Sequence, residues 1–261
     1  MIDEKTVASI EELIYEVRKD YASWKTETFP WFRGEPNNTG TSLLPKLYRP
    51  AEDGREHKEN RLLQNFRAKA PIYGQMRTPV RGNHDLWLFL AQHYGLPTRL
   101  LGWTEGLCIA LYFALLKEEP VVWMLDPIKL CNISTENKSP ENCPLTLTWG
   151  DPVNNILRKN IDAAWRLEQG AIEFPVAVKP TYIDMRMSVQ KSCFTIHGSE
   201  KKGLSHLVKE DKKECNNLLN KYIIVKQSVN QMKKDLMFMG ISQATLFPDL
   251  FGLSKELKSI F

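Results

Sequence analysis

Three short segments carry residues whose types and spacing suit the gripping of an anionic, ring-bearing ligand. In Trp31-Phe32-Arg33-Gly34-Glu35, an arginine follows two aromatics and precedes a glycine. A guanidinium on a strand can hold a phosphate or carboxylate through two parallel hydrogen bonds. A glycine beside it lets the backbone turn sharply or approach a ligand closely. The same arginine would serve as well to pair a buried acid near a turn. The second segment runs from Gln92 through His93, Tyr94, Thr98, Arg99, Gly102 and Trp103 to Thr104. Tyr94 and Trp103 offer faces for stacking, and the Thr104 hydroxyl can donate or accept. A lone histidine is usually a satisfied core residue; His93 stands in more polar company. In the third segment, Arg186 to Gly198, the amide of Gln190 can fix a sugar hydroxyl or a base edge. Its plainer reading is a strand-edge residue in water.

The elements that would position these residues are legible in outline. Ser9-Ile10-Glu11-Glu12 is a capping box, and Ile10, Leu13, Ile14 and Val17 follow at helical spacing, so a helix is expected within 1–25. Thr28 to Gly34 predicts a short strand ending at Gly34. Leu62, Leu63, Phe66 and Ala70 predict a helix closed by Pro71. Trp87, Leu90, Ala91 and Tyr94 predict another, ended by Gly95 and Pro97. Leu107, Leu111, Ala114 and Leu115 mark a helix, and Val121 to Leu125 an apolar strand. Residues 126–150, rich in Asn, Ser, Thr, Pro and Glu, are expected to form a surface loop or insertion. Strands are expected at 171–178, 193–197 and 222–226, a helix through Met232, Leu236 and Met239 ended by Gly240, and a terminal helix at Leu257 and Ile260. No repeat or linker divides 1–261, which predicts a single domain.

Composition narrows the function classes. Of 261 residues, 43% are hydrophobic and 25% charged, ordinary values for a folded chain. With 35 basic against 31 acidic residues, the excess of +4 permits an anionic ligand without the strong basic patch of a nucleic-acid binder. Cys108, Cys131, Cys143, Cys193 and Cys215 are odd in number and show no CxxC spacing, which predicts reduced thiols and a cytoplasmic setting. No secretion signal or membrane span is expected. His57, His84, His93, His197 and His206 show no metal-ligand spacing, so no metal is expected. A thiol nucleophile and a GxSxG hydrolase elbow find no motif either.

Taken in order, the segments resemble the FRG-domain family, named for the triplet Phe32-Arg33-Gly34. The likeness continues through Leu43-Leu44-Pro45, Arg49 and Phe66-Arg67. It is strongest at Gln92 to Thr104 and Ala110 to Ala114, resumes at Gln190 to Gly198, and ends at Gly240-Ile241 and Leu246 to Leu250. The family pattern usually has aspartate where this chain has Gly102. A second, weaker resemblance, to the ADP-ribosyltransferase superfamily, lies in an aromatic-Arg-Gly strand, then Thr104 to Ala114, then Gln190.

That second resemblance implies an α+β fold with a split, mainly antiparallel sheet flanked by helices. It also implies NAD as co-substrate and transfer of ADP-ribose to a protein or nucleic acid, in a bacterial toxin or phage-defence effector. Arg33 would then grip a phosphate or ribose, Thr104 position the nicotinamide ribose, Tyr112 or Trp103 pack on the ring, and Gln190 hold the ribose 2′-hydroxyl. His93, Tyr94, Thr98 and Arg99 would line or orient the ligand, with Glu168 and Glu173 as alternative acids. Glycine at 102 implies a site silenced for catalysis. The competing readings are a non-catalytic nucleotide or nucleic-acid binding module and a structural partner in which the motif holds the fold.

Overall fold

The computed structural model describes residues 2–24, 28–37, 43–50, 57–73, 79, 82–135, 145–146, 154–165, 172–210 and 215–260. The strands are β1 (Asp3–Val7), β2 (Trp31–Pro36), β3 (Leu100–Thr104), β4 (Pro120–Leu125), β5 (Leu145–Thr146), β6 (Val176–Lys179), β7 (Ser192–Ile196) and β8 (Leu219–Ile224). They form one open sheet in the order β1-β8-β4-β2-β3-β7-β6-β5. The pairs β1–β8 and β6–β5 are parallel and the inner ones antiparallel. The helices are α1 (Ile10–Ala22), α2 (Glu59–Tyr73), α3 (His84–His93), α4 (Leu107–Leu115), α5 (Pro127–Ser134), α6 (Asn154–Ala164), α7 (Met185–Val189), α8 (Leu204–Glu210), α9 (Val229–Phe238), α10 (Gln243–Leu246) and α11 (Leu250–Ile260). The chain is thus a mixed α and β fold built on a mostly antiparallel sheet.

Two apolar clusters flank the central strands. Along β2 and β4 the side chains alternate between them: Trp31, Trp123 and Leu125 join one, Phe32, Val122 and Met124 the other. The first cluster takes in α3, α5 and α8 through Trp87, Leu130 and Leu204, the second α1, α4 and α9 through Leu13, Leu111 and Leu236. With helices on both faces, β4 is buried throughout, which is why it reads as an unbroken apolar run.

The helix start at Ser9 forms as expected. Its hydroxyl accepts from the Glu12 N–H at 3.1 Å, and the Glu12 carboxylate accepts from the Ala8 N–H at 2.7 Å. Other elements depart from the sequence expectation. A strand, β1, precedes that helix. β2 continues past Gly34 to Pro36, and Pro71 lies inside α2 rather than closing it. The expected loop over 126–150 opens with a helix, α5, for which Asp126 is the N-cap (Oδ1 accepts from the Lys129 N–H at 2.9 Å) and Pro127 the first residue. The polar run that follows hid this start; residues 136–144 and 147–150 lie outside the described residues. The strand expected over 171–178 begins only at Val176.

Gly34 shows what the Phe-Arg-Gly triplet requires. A Cβ built there would stand 2.0 Å from the Ala110 carbonyl oxygen and 2.4 Å from the Ala114 nitrogen. The glycine therefore serves the close seating of α4 on β2, not a turn. Gly34→Ala should destabilise the fold by about 3 kcal/mol or more, since backbone on both sides must move. A urea midpoint equal to wild type would refute this.

Candidate functional site

The site forms where the sheet comes apart. β2 pairs with β4 at six positions, from Trp31 to Pro36, but with β3 only at Phe32 opposite Thr104. Past that pair the two strands separate, and Arg33 spans the opening. Its Nη1 donates to the Gly102 carbonyl at 2.6 Å and its Nε to Glu35 Oε1 at 2.8 Å. The other Glu35 oxygen accepts from the Leu43 N–H at 2.8 Å. The sheet is therefore joined by a single β2–β3 pair and an arginine, rather than split into two.

A cleft of about 340 Å³ lies over this opening. Phe32, Gly34, Gly102 and Thr104 line it from the strands, Phe113 from α4 and Phe194 from β7. Gln92 and His93 at the end of α3, and Arg186 and Gln190 around α7, line it too. A second recess of about 790 Å³ is lined by Lys46, Arg49 and His57 and shares Arg33, Gln92 and Gly102 with the first. Both volumes fall in the range of small-ligand pockets, roughly 300–1,000 Å³. Neither is lined by a carboxylate among the described residues. Arg49 is half-buried; burial lowers its pKa, Arg33 lowers it further, and Glu35 opposes. Its Nε donates to the Leu44 carbonyl at 2.8 Å.

The structure brings Arg33, Thr104, Gln190, His93, Trp103 and Gly102 to the cleft, but several are already engaged. The Thr104 hydroxyl donates to the Gln190 carbonyl at 2.7 Å and accepts from the Gly106 N–H at 3.0 Å. The Gln190 amide donates to the Leu246 carbonyl at 2.9 Å. Gln190 is the C-cap of α7 rather than the leader of β7, and Lys191 at φ 46° intervenes. Trp103 is buried and its indole N–H donates to the Thr195 hydroxyl at 3.1 Å.

Other expected ligand residues lie away from the cleft. Tyr94 is exposed and sits edge-on to His93 at 5.1 Å. Tyr112 points into the second apolar cluster and donates to Gln243 Oε1 at 2.8 Å; its neighbour Phe113 is the ring in the cleft. Thr98 is fully buried and donates to Gln92 Oε1 at 2.6 Å. Arg99 is buried against Glu59, with Nε and Nη2 each 2.8 Å from Oε2. Glu173 lines neither recess, and Glu168 lies outside the described residues.

Asp184, Arg186 and Phe113 carry parts of the site that sequence reasoning passed over. His93 Nε2 lies 2.5 Å from Asp184 Oδ2, while Asp184 Oδ1 caps α7 by accepting from the Met187 N–H at 2.9 Å. Burial lowers the His93 pKa, Asp184 raises it, and Arg186 lowers it, the net direction being down. An N-cap aspartate before a five-residue helix is the one signal that pointed to Asp184, and so short a helix has no periodicity to announce it.

Residues 29–121 match the family model described as the FRG domain. No curated protein and no solved structure matches the chain. Arg33, His93, Gly102, Thr104 and Phe113 fall within the matched range, while Asp184, Arg186 and Gln190 come from beyond it. Among the described residues no cluster of His, Cys, Asp and Glu is placed to hold a metal ion, and no helix is long and apolar enough to cross a membrane.

Two buried groups of the framework generate predictions. Arg99→Met leaves Glu59 as an unpaired buried charge and should cost about 3–5 kcal/mol of stability; a melting temperature equal to wild type would show the pair to be dispensable. His197 is fully buried, and among the described residues neither ring nitrogen has a well-formed hydrogen-bond partner. Burial, with Arg99 adding and the Lys202 backbone opposing, pushes its pKa down to about 3. Since the unfolded imidazole titrates near 6.5, the unfolded chain binds the extra proton between these values. This histidine's contribution is thus complete above about pH 6.5 and is lost as pH falls toward 3. Chemical denaturation across that window should show stability falling on acidification, with a shallower slope in His197→Phe; identical slopes would contradict the assignment.

Proposed function

We propose that the FRG domain of this chain binds a nucleotide-type ligand, with NAD the first to test. The observation that supports this most directly is the meeting of two unlike recesses at Arg33 and Gly102. One presents the rings of Phe32, Phe113 and Phe194, suited to a base or nicotinamide. The other presents Arg33, Lys46, Arg49 and His57, suited to phosphates. Two guanidiniums share the neighbourhood of one carboxylate, Glu35, whose oxygens are both occupied, so an anion would relieve their repulsion.

Isothermal titration should show NAD and ADP binding that weakens with added salt. Arg49→Ala should weaken both by about tenfold or more, the scale of one lost charge-assisted hydrogen bond. Failure of NAD, ADP and inorganic phosphate alike to bind would overturn the reading, and steeply salt-dependent binding of single-stranded nucleic acid in their place would favour the nucleic-acid alternative.

A second reading, ADP-ribosyl transfer by a toxin or defence effector, is favoured by one observation: Arg33, Thr104 and Gln190 line the same cleft. In that reaction the nicotinamide–ribose bond breaks, nicotinamide leaves, the acceptor's nucleophile bonds to the ribose carbon, and the acceptor loses a proton. His93, oriented by Asp184 and with its pKa lowered, is the cleft group able to take that proton. Against the reading, the Thr104 hydroxyl proton is already donated to the Gln190 carbonyl, and among the described residues no carboxylate lines the cleft to stabilise positive charge on the ribose. Nicotinamide release from NAD by wild type, reduced in His93→Gln with NAD affinity retained, is the expected signature; no release by wild type leaves binding as the function.

A further inference from the structure

Three residues line both recesses: Arg33, Gln92 and Gly102. Two of them have fixed side chains. Arg33 is tied to the Gly102 carbonyl and to Glu35, and Gln92 accepts from the Thr98 hydroxyl. The third has none. We infer that Gly102 is the doorway between the recesses, and that its missing side chain selects a ligand carrying a ring at one end and a phosphate at the other. This rests on the nucleotide reading above and adds to it the residue that sets the ligand's shape.

The fold does not account for glycine at this position. A Cβ at Gly34 or Gly198 would meet backbone oxygen at 2.0 or 1.5 Å, and Gly95 and Gly240 take φ of +80° and +76°. At Gly102 neither reason applies. Its φ lies outside the left-handed region, and the nearest atoms to a built Cβ are Phe194 Cε1 at 3.8 Å and Arg33 Nη1 at 3.9 Å, ordinary contact distances. A Cβ fits there, but a longer side chain would extend beside the Phe194 ring and the Arg33 guanidinium, toward the route from one recess to the other. An aspartate would also bring its carboxylate within reach of Arg33 and cancel charge that the phosphate would otherwise meet.

The test is titration of the full chain with NAD, inorganic phosphate and adenosine, comparing wild type with Gly102→Leu, Gly102→Asp and Gly102→Ala. A leucine in the doorway should weaken NAD by about tenfold or more and leave phosphate within about twofold. Aspartate should weaken NAD and phosphate together, while adenosine stays unchanged. Alanine, whose Cβ meets only ordinary contacts, should fold as wild type does.

An unchanged NAD affinity in Gly102→Leu, with wild type binding NAD, overturns the doorway and leaves the nucleotide reading standing. Equal losses of NAD and phosphate in the leucine variant also overturn it, because the damage would then lie in the basic recess itself. Wild type that binds none of the three overturns the nucleotide reading and this inference with it. Should Gly102→Leu fail to fold, the aspartate–alanine comparison decides: equal phosphate affinity in the two overturns the inference.

Discussion

Where β2 and β3 stop pairing, one guanidinium carries the connection between the halves of the sheet. A strand edge left open there would expose unpaired backbone groups. Arg33 meets one of them, the Gly102 carbonyl, and anchors itself on Glu35. Glu35 in turn accepts from the Leu43 N–H, in a turn where Leu43 takes a φ of 54°, a conformation unfavourable for a leucine. The Leu43 carbonyl then accepts from Leu204 at the start of α8. A run of four contacts therefore links β3, β2, the chain after β2, and α8. Arg33 is the partner of a buried acid, and its guanidinium has more donors than that acid uses.

The same strut explains the charge of the site. Glu35 is buried and saturated, so it balances one guanidinium while a second, Arg49, stands nearby and half-buried. In a partly desolvated recess such an excess of positive charge is unfavourable. On the other side of Arg33 the walls are aromatic. The proposed nucleotide-type ligand carries the same two characters as these walls.

Much of the polar density between Gln92 and Thr104 belongs to the support of the site rather than to its surface. Thr98 binds Gln92, Arg99 binds Glu59 of α2, and Trp103 binds Thr195 of β7. These residues sit where α2, α3, β3 and β7 converge, and each buried polar group there needs a partner. The segment looked rich in chemistry because a junction of four elements needs many internal hydrogen bonds, and only a subset of its side chains is left facing the cleft.

Local patterns sufficed for the elements whose causes are local. The Ser9 helix cap, the Gly95 and Gly240 stops, the apolar run of β4 and the helical spacing of α4 were readable because each depends on neighbours within a few residues. The approximate location of the cleft was readable too, through the arginine-glycine strand and the segment after α3. Tertiary structure alone decided which side chains face the cleft. Phe113 rather than Tyr112 turns inward because α4 is pressed against Gly34, and Asp184 reaches His93 across about ninety residues of chain. The partners of Arg33 and Thr104, and the openness left by Gly102 between two recesses, depend on distances across strands far apart in the chain, and no periodicity along the sequence records those distances.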